Sequence, residues 1–112
     1  MEKLKLYIAG RITGDPDYKE KFARAQEFYE SRGYTVLNPT VLPSGLLPGE
    51  YMRICFAMID VADAVSFLPG YERSPGANLE LSYCCYTDKN IYHFDSDLMF
   101  HKAVKSAGPD HE

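Results

Sequence analysis

The sequence predicts an α/β fold, a parallel sheet of about four to five strands with helices on both faces. Two observations carry this. Short β-rich apolar runs alternate with segments whose apolar residues recur at helical spacing, the order that builds parallel sheets through crossover helices. The strand-like runs, above all Leu4–Ala9 and Ala62–Leu68, are nearly continuous in apolar residues, as strands covered on both faces are.

Leu4–Ala9 is the first strand, and Gly10 closes it. Gly10–Asp17 is a loop holding two glycines and a proline. Pro16 opens the next helix with Asp15 as its cap. That helix runs from about Asp17 to Ser31, with Phe22, Ala25, Gln26 and Tyr29 at helical spacing and Gly33 as its stop. Tyr34–Leu37 is a short second strand, ended by Asn38-Pro39. Thr40–Gly49 is a loop, and Glu50–Val61 is a helix with Met52, Cys55, Phe56 and Ile59 on one stripe. Ala62–Leu68 is the third strand, closed by Pro69-Gly70, with Asp63 as a boundary residue. After a loop at Tyr71–Ser74, a helix spans Pro75–Thr87, capped by Ser74 with Pro75 at its first position. Ile91–Phe94 is the fourth strand. A last helix is expected over Ser96–Val104, and the tail Ala107–Glu112 is expected to fray. The organisation is one domain over residues 1–106 followed by a flexible tail, 107–112.

Composition narrows the function classes. The chain has 112 residues, 46% hydrophobic and 25% charged, which excludes disordered, collagen-like and coiled-coil classes. No apolar run approaches the ~20 residues of a membrane helix. The opening Met1-Glu2-Lys3-Leu4-Lys5 leads into a strand without a secretory segment, so a cytoplasmic protein is expected. A net charge of -4 provides no general footprint for a nucleic acid polymer, although a local basic patch can still hold a phosphate. Three cysteines, two of them the neighbours Cys84 and Cys85, lack C-x-x-C spacing and read as reduced thiols. His93, His101 and His111 lack metal-ligand spacing, so neither a metal nor a cofactor is expected.

In parallel sheets ligands bind beyond the carboxyl ends of the strands, near the switch point. This directs attention to Gly10–Gly14, Asn38–Leu42 and Leu68–Glu80. Gly10-Arg11-Ile12-Thr13-Gly14 lets the backbone approach a ligand, and its N–H groups plus Arg11 suit a phosphate or carboxylate. It matches neither a P-loop nor G-x-G-x-x-G, and a plain strand-to-helix turn fits it equally. Ser74-Pro75-Gly76-Ala77 makes a helix N-terminus whose free N–H groups suit an anion. Glu80 lies in the second turn of that helix beside Gly76, Ala77, Tyr83 and Cys84, a small and apolar neighbourhood. Its carboxylate is poised there as a nucleophile, or else it is a structural or exposed glutamate. Tyr7, near the end of the first strand, either reaches the site or packs in the core with its hydroxyl at the rim. Asp60 sits at a helix C-terminus, where its charge is unfavourable.

Taken in order, Tyr7-Ile8-Ala9-Gly10, Asn38-Pro39, Glu50-Tyr51-Met52-Arg53, Ala62-Asp63-Ala64 and Ser74-x-Gly76-x-x-x-Glu80 resemble the nucleoside 2-deoxyribosyltransferase superfamily. The likeness is to its small phage- and bacterium-encoded branch, related to the 2'-deoxynucleoside 5'-monophosphate N-glycosidases, and covers about Leu4 to Phe94. It implies a three-layer flavodoxin-like sheet, usually in a homodimer. The implied activity is cleavage or exchange of the N-glycosidic bond of a deoxyribonucleoside or its monophosphate, without a cofactor. The resemblance implies Glu80 as the nucleophile, with Tyr7 near the reacting sugar. Ser74, Gly76 and the turn Gly10, Arg11 and Ile12 would hold the 5'-phosphate. Cys55 stands, by register with Ala62-Asp63, where the family carries an aspartate that orients the sugar or assists the leaving base. A thiol replaces a carboxylate there only when ionised, and Asp60, five positions on, lies on another helix face. Asn38 is a further candidate after the second strand. The alternative is a nucleotide or ribose-phosphate binding module that kept the fold and lost efficient chemistry. A third possibility, an interaction domain, finds support in nine tyrosines and six phenylalanines.

Overall fold

The apolar run at the start of the chain forms β1, Lys5–Ala9, and its four residues from Leu6 on are buried. This computed structural model describes residues 3–95 and 99–102, with side chains over residues 3–94. The further elements are α1 (Tyr18–Ser31), β2 (Thr35–Leu37), α2 (Pro48–Val61), β3 (Ala64–Phe67), α3 (Pro75–Tyr86), β4 (Asn90–Asp95) and β5 (Met99–Lys102). Short 3-10 turns lie at Pro39–Val41 and Tyr71–Arg73.

The sheet order is β2-β1-β3-β4-β5, with β1 parallel to β2 and β3, and β3 parallel to β4. This is the flavodoxin-like arrangement, whose switch point lies between β1 and β3. Side chains alternate across β1. Leu6 and Ile8 pack with Phe22, Ala25 and Tyr29 of α1. Tyr7 and Ala9 pack on the other face with Cys55 and Ile59 of α2 and Cys84 of α3. The result is three layers, α1, sheet, and α2 with α3. On the α1 side the Tyr29 hydroxyl meets Ser66 Oγ at 2.7 Å, so the serine buried in β3 is satisfied.

The expected alternation of strands and helices holds through β4. The helix expected over Ser96–Val104 does not form at Met99–Lys102, which is strand β5, antiparallel to β4 with His93 opposite His101. Only residues 96–98 separate the two strands. A parallel partner needs a crossover of a dozen residues or more, so the short connection dictates an antiparallel return. The tail at 107–112 lies outside the described residues.

Element boundaries also differ, three of them for reasons visible in the hydrogen bonds. α1 begins at Tyr18, one residue after the expected Asp17, and Pro16 does not open it. Asp15 does not cap it: Oδ1 accepts from Asp17 N at 2.9 Å and Oδ2 pairs with Lys21 Nζ at 2.8 Å. α2 begins at Pro48, two residues earlier than expected, because Glu50 Oε1 accepts from Leu47 N at 2.9 Å and so closes its first turn. β3 is shorter than Ala62–Leu68; Asp63 stays outside it and accepts from Lys5 N at 2.7 Å, tying the starts of β1 and β3 together. Gly33 ends α1 as expected, at φ 91°, with its N–H donating to Glu30 O at 3.0 Å.

Candidate active site

The α2–α3 face of the sheet brings a phenol and a carboxylate together at the switch point. Tyr7 is the third residue of β1 and points to this face; its hydroxyl donates to Glu80 Oε2 at 2.7 Å. Glu80 reaches it because Ala77, Glu80 and Cys84 form the buried stripe of α3, three and seven residues apart. The carboxylate is only 4% exposed.

Glycines let the surrounding elements close in. A methyl on Gly76 would stand 3.2 Å from Met52 Cε, so α3 begins tightly against α2. A methyl on Gly10 would lie 3.2 Å from both Leu68 Cβ and Phe22 Cζ, where the chain leaves β1 between β3 and α1. Ser74 Oγ accepts from Ala77 N at 3.1 Å, which caps α3 and leaves the serine O–H free to donate.

Burial pushes the Glu80 carboxyl up to about 7, against hydrogen bonds from Tyr7 and Cys55 that favour its charge. Burial and then the charge of Glu80 hold the Tyr7 phenol well above its ordinary value. Burial lifts the Cys55 thiol to about 11 and the Cys84 thiol to about 12. Burial also raises the Tyr51 phenol. Of this group, Glu80 alone changes charge near neutral pH.

Above Glu80 lies a cleft of about 690 Å³, a size suited to a small organic ligand. Its walls come from every segment the switch point collects. They are the turn after β1 (Ile12, Thr13), the start of α1 (Tyr18, Lys19), the loop before α2, the start of α2 (Tyr51, Met52) and the start of α3 (Ser74, Gly76). Among the described residues, Glu80 is the only acid lining it and Lys19 the only cation.

The structure therefore brings Tyr7, Gly10, Ile12, Ser74, Gly76 and Glu80 to one cleft. Cys55 lies beneath it, fully buried, and packs in the same core cluster as Tyr7. Arg11 is not on the lining: its Nη2 lies 2.7 Å from where a Cβ on Gly14 would be, and it faces Asp15. Asn38 braces the chain after β2, with Oδ1 accepting from Thr40 N and Oγ1 and Nδ2 donating to Gln26. Asp60 is exposed and accepts from the Tyr83 hydroxyl at 2.6 Å. Sequence reasoning missed Tyr18, Lys19 and Tyr51. The available signal was their place in the first turns of helices that follow the carboxyl ends of β1 and β2. No group of three or more His, Cys, Asp or Glu able to hold a metal ion occurs among the described residues. No helix there is long and apolar enough to cross a membrane.

This flavodoxin-like sheet shares its fold with a nucleoside 2-deoxyribosyltransferase. The solved 2-deoxyribosyltransferase from the psychrotolerant bacterium Bacillus psychrosaccharolyticus superposes with a TM-score of 0.63 at 20% identity, covering 78% of this chain and 69% of that one. The chain belongs to the family described as Domain of unknown function (DUF4406), whose family model matches residues 4–93. No curated protein matches it.

Proposed function

We propose that the protein cleaves or exchanges the N-glycosidic bond of a (deoxy)nucleoside or its 5'-monophosphate, with Glu80 as nucleophile. The observation that supports this best is the buried Glu80 carboxylate, fixed by the Tyr7 hydroxyl at 2.7 Å on the floor of the cleft. The ionised carboxylate attacks the anomeric carbon, and the C–N bond breaks with its electron pair leaving on the base. Positive charge that develops on the sugar is stabilised by the same carboxylate. Water or a second base then attacks that carbon and releases Glu80. Tyr7 orients the carboxylate throughout. The Gly76 N–H at the start of α3, the Ser74 hydroxyl and Lys19 suit a 5'-phosphate.

The test is base release from a panel of ribo- and deoxynucleosides and their 5'-monophosphates, with and without an acceptor base, followed by chromatography. Wild type should release base and Glu80→Gln should not. Release by the variant at the wild-type rate would refute the mechanism. A second reading, a binding module with weakened chemistry, is favoured by Cys55, a thiol lifted to about 11 at the position where the resemblance implies an aspartate. Its signature is thermal stabilisation by a nucleotide with no base released.

A further inference from the structure

The Asn38 side chain is buried and bonded through both its polar atoms, and the donor in each of those bonds is fixed. Oδ1 lies 2.9 Å from Thr40 N, and a backbone N–H can only donate, so the amide oxygen faces Thr40. Thr40 Oγ1 lies 2.7 Å from the same oxygen, which has no proton to give, so the threonine hydroxyl is the donor. The other side of the amide agrees. Glu30 Oε2 accepts from Gln26 Nε2 at 3.0 Å, which leaves Gln26 Oε1 to accept from Asn38 Nδ2 at 2.9 Å. A chain of directed hydrogen bonds thus runs from an exposed carboxylate on α1 to a hydroxyl on the wall of the cleft.

Thr40 lines the cleft with its one hydroxyl proton already committed. Its oxygen keeps only lone pairs for a ligand, so this wall accepts and does not donate. Ser74 is the reverse: its Oγ accepts from Ala77 N and its O–H can donate. The two stand on opposite sides of the reacting pair. Thr40 follows β2 and Ser74 follows β3, while β1, which carries Tyr7, lies between those strands. A nucleotide with its 5'-phosphate at Ser74 and its anomeric carbon at Glu80 therefore extends its base toward Thr40.

We propose that Thr40 determines specificity for the base, with Asn38 as its positioning residue: Thr40 Oγ1 accepts an N–H from an exocyclic amino group. The substrate class is then the amino-bearing bases cytosine and adenine, over their keto counterparts uracil and hypoxanthine. An amino group projects beyond the ring and brings a proton to Thr40. The ring N–H of a keto base is flanked by a carbonyl, whose lone pairs meet those of Thr40. This rests on the reading of Glu80 as the reacting group with the phosphate at Ser74.

The experiment measures kcat/KM for base release from the 5'-monophosphates of deoxycytidine, deoxyuridine, deoxyadenosine and deoxyinosine. Calorimetry measures binding of the same four to Glu80→Gln. Wild type should prefer each amino base over its keto counterpart by about 10-fold, the cost of leaving that acceptor without its partner. Thr40→Val removes the hydroxyl and should bring both ratios toward one, while Thr40→Ser should keep them. Asn38→Leu leaves Thr40 in place but frees its hydroxyl to turn and donate, so it should flatten the ratios too. Asn38→Asp keeps the acceptor and should preserve them. Each ratio is taken within one variant, so partial unfolding cancels. A wild type without the preference overturns the proposal, whether or not any variant folds. A valine variant that weakens all four substrates equally overturns it as well, and places a sugar hydroxyl at Thr40. Preferential binding of the amino nucleotides without base release by wild type removes the proposed activity and leaves the Thr40 contact standing. Binding of none of the four overturns both.

Discussion

At pH 7 the Glu80 carboxyl is divided between its two protonation states, because burial lifts it to about 7. Folding and catalysis then respond to pH in opposite directions. The unfolded chain releases this proton near the ordinary carboxyl value of 4.5, while the folded chain keeps it to about 7. Between these values the unfolded state binds fewer protons, so the contribution is fully present below about 4.5, is lost as pH rises through 7, and then levels. The loss is about 3 kcal/mol. Urea unfolding should show wild type losing this stability between pH 4.5 and 8 while Glu80→Gln does not; equal slopes would mean that Glu80 is not lifted. Base release should instead rise through about pH 7 as the carboxylate forms. Tyr7→Phe removes the 2.7 Å donor. A hydrogen bond to a charged group contributes about 1.5–3 kcal/mol, so base release at pH 7 should fall roughly 10- to 100-fold. A phenylalanine variant as active as wild type would remove Tyr7 from the site.

At the scale of elements, the start of α3 has two separable duties. The Ser74 cap, seen in the 3.1 Å contact with Ala77 N, supports the helix, and the same N-terminus faces the cleft. Ser74→Ala should cost about 1 kcal/mol in urea unfolding. It should also weaken 5'-monophosphates more than nucleosides in base-release KM; an equal loss for both would argue against a phosphate at this end of the cleft. This element was also the most legible. Ser74-Pro75 is a local cap signal, and the helix ends at Tyr86, one residue short of expectation. The turn Gly10–Gly14 and the pair Tyr7 and Glu80 could be flagged because they sit at strand and helix ends. Their mutual contact could not, since it spans 73 positions. β5 was misread as a helix because its conformation is decided by pairing with β4, not by its own short pattern. Lys19 and Tyr51 escaped notice because their place on the cleft depends on how α1 and α2 pack. Arg11 looked like a phosphate ligand from position alone, but the left-handed Gly14 at φ 86° lets its guanidinium fold back over the turn.

For the whole molecule, the outer surface of the α2–α3 layer argues for assembly. Ile54 and Val61 lie seven apart on α2 and are 37% and 57% exposed; Leu79 and Tyr86 lie seven apart on α3 and are 51% and 59% exposed. Residues seven apart drift only about 20° around a helix, so each pair marks one outward line. The two helices are joined by the stacked rings of Phe56 and Tyr83, 4.2 Å apart at 14°, and by the Tyr83–Asp60 hydrogen bond. Exposed large apolar residues grouped on neighbouring helices are what a self-complementary interface covers. We propose a homodimer through this layer. Light scattering should report twice the 12.7 kDa chain mass. Ile54→Glu with Val61→Lys should give a monomer with an unchanged circular dichroism spectrum. Base release by the monomeric variant then tests whether the cleft groups of one chain suffice for activity. A wild type that is monomeric at every concentration, or a double variant that still dimerises, would move the interface elsewhere or remove it. A folded monomer without activity would mean that the partner chain completes the site.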